Sequence, residues 1–198
     1  MTDDSYLTIS GESRAKFTEK MSRFLAFAHP VANAEAVRGL VARYQKDYHD
    51  ARHVCWAYVL GFDRSEQYSN DNGEPSGTAG KPILGQINSA GLTNLAVVVV
   101  RYFGGIKLGT PGLIAAYREA ARMALEEASV VKRHAMQSVS FTFPYQSMNA
   151  VMAVAKMPEV ETTDRQFDCT CRMTLSARAG LMPEVRSRLA CIDGISLL

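Results

Sequence analysis

The segment 101–120 reads RYFGGIKLGTPGLIAAYREA, so a strand is followed by a glycine-rich turn and then by a helix. Gly104 and Gly109 have the outer spacing of a phosphate-binding P-loop. A P-loop continues with Lys and then Ser or Thr, whereas Thr-Pro follows here and Lys107 lies inside the turn. The pattern therefore argues against a nucleoside triphosphate site. Backbone N–H groups before a helix still suit an anion such as an RNA phosphate or a carboxylate. Glycines at this position also serve purely structural turns, and both interpretations stay open.

A second polar segment, 62–81, reads FDRSEQYSNDNGEPSGTAGK and is rich in turn-forming residues, so we predict a single long loop. It lacks the ligand positions of an EF-hand and the final Ser or Thr of a P-loop. Solvated turn chemistry is the simpler interpretation. A loop of this length inside a compact domain is usually functional or disordered, however, and its density of reactive groups favours a binding loop. Those groups are Asp71, Glu74, Ser76, Thr78 and Lys81.

The pattern HDARH places His49 and His53 four residues apart, which on one helix would suit a metal ion. Asp50 stands where the metalloprotease motif has Glu, and His53 begins a predicted strand, so the two rings do not share a helix face. We therefore predict no metal site, and no motif points to a cofactor.

The elements around these loops predict a sheet flanked by helices. Strands are predicted at 6–9, over 17–30 as one strand ended by Pro30, at 53–60 and at 95–103. The last of these, LAVVVVRYF, is a β-branched run typical of a strand that is covered on both faces. Helices are predicted after the N-cap residue Asn33, from Pro82, and from Pro111 to about Ala128.

After Arg133 the pattern restarts as strand, helix, strand, strand, helix and strand. This βαββαβ order is the ferredoxin-like split arrangement. We therefore predict an α+β protein with two domains, 1–133 and 134–198, of which the first is a sheet-and-helix domain and the second is ferredoxin-like.

Composition narrows the setting in which the protein works. The chain has 198 residues and a net charge of only +2, so any nucleic-acid binding must rest on a local patch rather than on bulk charge. No apolar run approaches the roughly 20 residues that a membrane span needs. The N-terminus is too polar for a signal peptide, and the four cysteines are typical of reduced thiols, so we predict a cytoplasmic protein without membrane association.

Three motifs, in this order, resemble the YigZ/IMPACT family: HVCWAYVLG, SNDNGEPSGTAGKPIL and NLAVVVVRYFGGIKLGTPGLIAAYREAA. The likeness covers most of residues 15–130, and residues 135–198 look like the small second domain of the bacterial branch. The resemblance implies that the first domain is similar to domain IV of elongation factor G. It also implies a role near translation, because eukaryotic members are regulators that compete for the activator of a starvation-sensing kinase controlling initiation.

The resemblance also places candidate residues in motif positions of the family. Its glycine-turn element is matched by Arg101, Gly104, Gly105, Lys107 and Gly109, its loop element by Glu74, Ser76, Gly77 and Gly80, and its strand-opening histidine by His53. We predict that the loops 70–81 and 101–109 lie side by side and form one cleft that holds both acid and base.

The leading hypothesis is a translation-associated regulator that binds RNA, the ribosome or a translation-factor partner through this cleft. Tyr102, Phe103 and Tyr68 could stack on bases, although burial in the core is expected for Phe103. The predicted binding residues are Glu74, Ser76, Thr78, Lys81, Arg101, Tyr102, Gly104, Gly105, Lys107 and Gly109.

Two other hypotheses remain from the sequence. The first is a hydrolase or transferase acting on a small anionic or peptide-like substrate, with Glu74 or His53 as general base and Ser76 or Thr78 as nucleophile or substrate-binding group. The second is a protein-interaction regulator without a ligand. The sequence favours binding over catalysis.

Overall fold

The computed structural model describes residues 4–167 and 170–198, which divide into two compact units. One unit is Tyr6–Arg133, and the other consists of His134–Leu198 together with Asp4 and Ser5. The protein is α+β, as the sequence predicts.

The first unit is built on an antiparallel five-stranded sheet in the order β2-β3-β6-β4-β5, and β1 pairs with β7 in a separate two-stranded sheet. Its elements are β1 (Ser5–Ile9), β2 (Ser13–Glu19), β3 (Ser22–Pro30), α1 (Ala34–Asp47), β4 (His53–Leu60), β5 (Glu66–Asn70), α2 (Gly80–Ser89), β6 (Leu95–Tyr102), α3 (Gly109–Glu126) and β7 (Val130–His134), except that the end residues Ser5 and His134 are counted with the other unit.

The central strand β6 separates two hydrophobic layers, because successive side chains of a strand point to opposite faces. Val97 and Val99 pack with residues of α2 and α3, whereas Val98 and Val100 pack with residues of α1. All four valines are fully buried, which confirms the prediction of a strand covered on both faces.

The predicted start of α1 is also confirmed. Asn33 has extended backbone geometry, and its side-chain oxygen accepts a hydrogen bond from the Ala36 N–H at 2.9 Å. This bond satisfies one of the N–H groups that a helix leaves without a partner at its first turn.

Two predictions of local structure were wrong. The predicted single strand over 17–30 is the hairpin of β2 and β3, which turns at Lys20 and Met21, both with positive φ. The predicted loop 62–81 contains the edge strand β5 and the first two residues of α2, so its irregular segments are only 62–65 and 71–79. Strand β7 was also missed.

The second unit confirms the predicted βαββαβ order. Its four strands pair antiparallel in the order β11-β8-β10-β9, and both helices contribute to one core on the sheet. The elements are β8 (Met136–Phe143), a 3-10 turn (Tyr145–Ser147), α4 (Met148–Ala155), β9 (Val160–Gln166), β10 (Cys171–Arg178), α5 (Met182–Ala190) and β11 (Ser196–Leu197).

Within the described residues, no helix is both long enough and apolar enough to cross a membrane. Cys55 and Cys171 are buried and Cys191 is exposed, while Cys169 lies outside the described residues.

Candidate functional site

Strand register brings two candidate side chains, those of His53 and Arg101, into a row with Phe24. Arg101 of β6 pairs directly with Phe24 of β3 on one side and with His53 of β4 on the other. Directly paired residues point to the same face of a sheet, so these side chains lie together on the face that α2 and α3 cover.

The Glu74 carboxylate reaches this row from the loop before α2. Its side chain is only 3% exposed, and its Oε1 accepts hydrogen bonds from Arg101 Nη1 at 2.6 Å and from the Tyr117 hydroxyl at 2.8 Å. Burying a carboxylate is costly unless a cation and hydrogen-bond donors accompany it, and this pair supplies both. The Nε of Arg101 is buried and makes no hydrogen bond to the described residues.

The network continues from Tyr117 into the core. The Cys55 thiol lies 3.3 Å from the Tyr117 hydroxyl and 3.0 Å from the Asp71 carbonyl oxygen. Burial raises the pKa of Cys55 to about 12, and burial together with the neighbouring Cys55 and Glu74 also raises the pKa of Tyr117. Both groups therefore stay protonated near neutral pH and act as neutral hydrogen-bonding groups.

The tautomer of neutral His53 follows from its partner. Its Nδ1 lies 2.9 Å from the Asn72 carbonyl oxygen, which can only accept, so Nδ1 carries the proton. The other ring nitrogen, Nε2, lies 4.0 Å from Glu74 Oε1 and keeps its lone pair in the neutral ring.

Asp71 shapes the loop that carries Glu74. Its Oδ1 accepts from the backbone N–H groups of Ala79 and Gly80 at 3.0 and 2.8 Å, and its Oδ2 accepts from that of Gly77 at 2.8 Å. Burial alone would raise the pKa of Asp71, but these three donors and the charge of Lys81 outweigh burial and lower it. The side chain thereby acts as the N-terminal cap of α2.

The glycine turn after β6 has a structural requirement at its first glycine. A Cβ on Gly104 would lie 2.1 Å from the carbonyl carbon of Met21 in the β2–β3 turn, which only glycine avoids. The Gly104 N–H also donates to Ser22 Oγ at 3.2 Å. The turn then leads into α3, whose N-cap residue Leu108 makes no side-chain capping bond.

The loops 70–81 and 101–109 enclose the cleft, which has a volume of about 370 Å³. Arg52 and Lys107 are exposed at its rim, and neither makes a salt bridge within the described part of the chain. The cleft is lined by Arg52, His53, Glu74, Pro75, Arg101, Phe103, Lys107, Leu108, Gly109, Thr110 and Leu113.

The structure brings His53, Glu74, Arg101, Lys107 and Gly109 together in the cleft. It does not bring the predicted hydroxyl groups and the second lysine there. Thr78 is 1% exposed and its hydroxyl donates to the Pro75 carbonyl at 2.7 Å, so it serves the loop itself. Ser76 and Lys81 are exposed and do not line the cleft.

The predicted aromatic residues divide between the two faces of the sheet. Tyr102 follows Arg101 in β6 and therefore points away from the cleft, where its hydroxyl donates to Asp50 Oδ1 at 2.7 Å. Tyr68 of β5 packs on Trp56 on that same far face, at 5.2 Å between ring centroids. The expected burial of Phe103 was wrong, because its side chain lines the cleft and is 46% exposed.

Gly104 and Gly105 shape the turn without lining the cleft, whereas Arg52, Thr110 and Tyr117 belong to the site and were missed from the sequence. Tyr117 had a usable signal. It shares the buried stripe of α3 with small alanines, and a buried tyrosine hydroxyl usually has a hydrogen-bond partner. The sequence does not show that this partner is Glu74.

Comparison with known proteins decides the family. The model of the Impact N-terminal domain matches residues 20–125, which include both loops of the cleft. The chain belongs to the IMPACT family. The IMPACT family member YigZ of Escherichia coli K12 is 31% identical over 173 residues, covering 86% of this chain and 85% of that protein. The IMPACT family member YvyE of Bacillus subtilis is 36% identical over 141 residues, covering 71% of this chain and 65% of that protein.

A solved structure described as a hypothetical protein superposes with a TM-score of 0.77 at 28% identity, covering 98% of this chain and 97% of that one. The fold of this IMPACT family chain is therefore similar to that of a solved structure over nearly its whole length.

Proposed function

We propose that this IMPACT family protein acts on translation by binding RNA, with a phosphate group of the RNA held at the cleft. The observation that carries the proposal is the balance of charge there. Arg101 already neutralises Glu74 at 2.6 Å, so Arg52 and Lys107 remain as cations without an internal partner among the described residues. Excess positive charge beside a concave surface attracts a phosphate.

The first turn of α3 adds to this attraction. Gly109 and Thr110 line the cleft, and the N-cap residue Leu108 supplies no side-chain cap for the N–H groups at the start of this 18-residue helix. The positive end of a helix dipole favours an anion. The Nε of Arg101 is buried and has no hydrogen-bond partner among the described residues, which supports a ligand independently, because buried donors in native proteins are nearly always satisfied.

Membership of the IMPACT family supports the translational part of the proposal, since the role that the family implies is regulation of translation. RNA free in solution and RNA within the ribosome present the same phosphate chemistry.

The hydrolase or transferase hypothesis gains no support from the geometry. Ser76 lies outside the cleft, and Thr78 is buried with its proton donated inside the loop. Burial keeps the Cys55 thiol protonated, since its pKa is raised to about 12. His53 and Glu74 line the cleft, but neither of the predicted nucleophiles, Ser76 and Thr78, lines it with them.

The test is a filter-binding titration of ribosomal RNA at several salt concentrations, with wild type, Lys107→Ala and Lys46→Ala. Lys107 is exposed at the cleft, whereas Lys46 is exposed in the last turn of α1, on the opposite face of the sheet. We expect Lys107→Ala to weaken binding. It should also make the negative slope of log K against log salt shallower by roughly 0.7–0.9 for the lost phosphate contact. Lys46→Ala should behave as wild type.

Arg101→Ala is a poor probe for this purpose, because it would leave the Glu74 carboxylate buried without its cation. A folded Lys107→Ala protein with unchanged affinity and slope would remove the cleft from RNA binding. A wild type that binds no RNA at low salt would refute the proposed function.

A further inference from the structure

The charged groups of the cleft divide into a buried neutral part and an exposed cationic part. Glu74 and Arg101 form a buried ion pair, with side chains 3% and 7% exposed. Arg52 and Lys107 are exposed at the rim. A ligand that matches both parts has an uncharged polar end for the interior and an anionic end for the rim.

The buried part has unused hydrogen-bonding capacity of both kinds. The hydrogen bonds that described residues make to Glu74 all end on Oε1, so Oε2 receives none of them. Arg101 Nε is a donor without a partner among these residues, and when the His53 ring is neutral its Nδ1 contact with the Asn72 carbonyl leaves the lone pair on Nε2. A ligand end carrying both N–H donors and acceptors would use these atoms.

Phe103 adds an aromatic wall to the same cleft. Its ring is 46% exposed, and the Arg101 guanidinium carbon lies 5.6 Å from the ring centroid. An exposed ring beside hydrogen-bonding groups suits a flat heteroaromatic ring, which can stack on it. The volume of about 370 Å³ is near the small end of ligand pockets, which run from roughly 300 to 1,000 Å³, and so suits a single nucleotide.

We infer that the cleft takes up one unpaired nucleobase of the bound RNA, which stacks on Phe103 and donates an N–H of its pairing edge to Glu74 Oε2. Its phosphate lies between Lys107 and the start of α3. This inference rests on the proposed RNA binding and specifies the ligand as single-stranded RNA, because a base within a duplex has its pairing edge occupied.

The experiment measures fluorescence anisotropy of three dye-labelled probes with the full chain. The probes are a ten-nucleotide oligouridylate, the same strand annealed to oligoadenylate, and an oligomer of 3-methyluridine. Methylation at N3 removes the N–H of the pairing edge and retains the ring and the phosphates. We expect wild type to bind oligouridylate about tenfold or more tightly than either of the other two probes.

Phe103→Leu removes the stacking surface and should weaken oligouridylate binding about tenfold, whereas Phe103→Tyr should retain it. The salt slope should not change in either variant, because no phosphate contact is lost. Phe62→Leu is the matched control, since Phe62 is 44% exposed and lies outside the cleft.

Equal binding of the single strand and the duplex, or wild-type affinity in Phe103→Leu, would overturn the base-binding inference. Equal binding of uridine and 3-methyluridine probes would overturn the role of Glu74 Oε2. In these cases the proposed function survives if Lys107→Ala still makes the dependence of RNA affinity on salt concentration shallower. A wild type that binds ribosomal RNA but none of these probes at low salt would overturn the base-binding inference alone, and one that binds neither would refute both.

Discussion

At the scale of single residues, Glu74 joins three distant parts of the first unit. Its own loop precedes α2, Arg101 lies near the end of β6, and Tyr117 lies in α3, so two hydrogen bonds on one oxygen connect Glu74 to residues 27 and 43 positions away. A buried charge with two buried donors fixes the position of the loop against the sheet. The residues that give the cleft its polarity therefore also stabilise its shape.

Tyr117→Phe tests this structural role. The change removes a donor to Glu74 and an acceptor beside Cys55 while it keeps the buried ring. We expect the free energy of unfolding to fall by about 1–3 kcal/mol, because a buried polar group loses its partner. Urea denaturation followed by circular dichroism measures the change. Tyr145→Phe, at a side chain 74% exposed, should have little effect, and an equal effect of both variants would contradict the network.

Residue type and spacing predicted only some of the residues that line the cleft. Arg101, Lys107, Glu74 and His53 were placed together because motif order and strand ends brought their loops to one edge. Tyr102 was placed there wrongly, because alternation along β6 sends it to the far face. The burial of Thr78 depends on how its loop folds back on the sheet, which the local sequence does not show.

At the scale of elements, the missed features share a physical cause. The β2–β3 turn uses Lys20 and Met21 at positive φ, positions where hairpins usually show Asn-Gly, so the sequence carries no turn signal. Strand β5, EQYSN, is a polar edge strand whose pairing with β4 depends on tertiary structure. The strands and helices with strong apolar patterns were predicted, because the spacing of their apolar residues shows which positions are buried.

Gly104→Ala tests whether the glycine turn is anchored on that hairpin. A Cβ there would lie 2.1–2.4 Å from backbone atoms of Met21 and Ser22, which no rotamer change can relieve. We expect a loss of about 3 kcal/mol in unfolding free energy, at the upper end of the usual overpacking cost. Gly11→Ala, where a Cβ meets nothing within 4 Å, is the control for urea denaturation. Similar stabilities of the two variants would show that the turn does not need this close approach.

The Asp71 cap of α2 predicts a dependence on pH. Its pKa in the folded protein lies below the ordinary value of 3.8, so the unfolded chain takes up the proton first as the pH falls. The stabilisation is fully present above that ordinary value and is lost as the pH falls through the lowered pKa. Urea midpoints between pH 6 and pH 2.5 should therefore decline less steeply in Asp71→Asn than in wild type. Asp47→Asn, at an exposed position in α1, should keep the wild-type decline.

At the scale of the whole molecule, each unit has a hydrophobic core of its own among the described residues. The two clusters of the first unit use residues from Ile9 to Ala128, and the cluster of the second uses residues from Val139 to Ile195. The cleft is built entirely from residues 52–113. With a net charge of only +2, the chain has little bulk charge to attract RNA, so the proposed RNA binding rests on this local arrangement of cations.

Because the first unit contains its own core clusters and the whole cleft, we predict that a fragment of residues 1–133 folds and binds RNA without the second unit. The fragment keeps both core clusters and all of the cleft, and it retains nearly all of β1 and β7, which pair with each other. We expect a cooperative urea transition, because a domain with its own core can fold alone. Its affinity for ribosomal RNA and its salt slope should match those of the full chain. A fragment of residues 10–128, which lacks β1 and β7, should be less stable, since it loses the β1 core residue Ile9. A folded 1–133 fragment with much weaker binding would show that the second unit contributes RNA contacts of its own, and an unfolded fragment would show that the first unit depends on the second for stability.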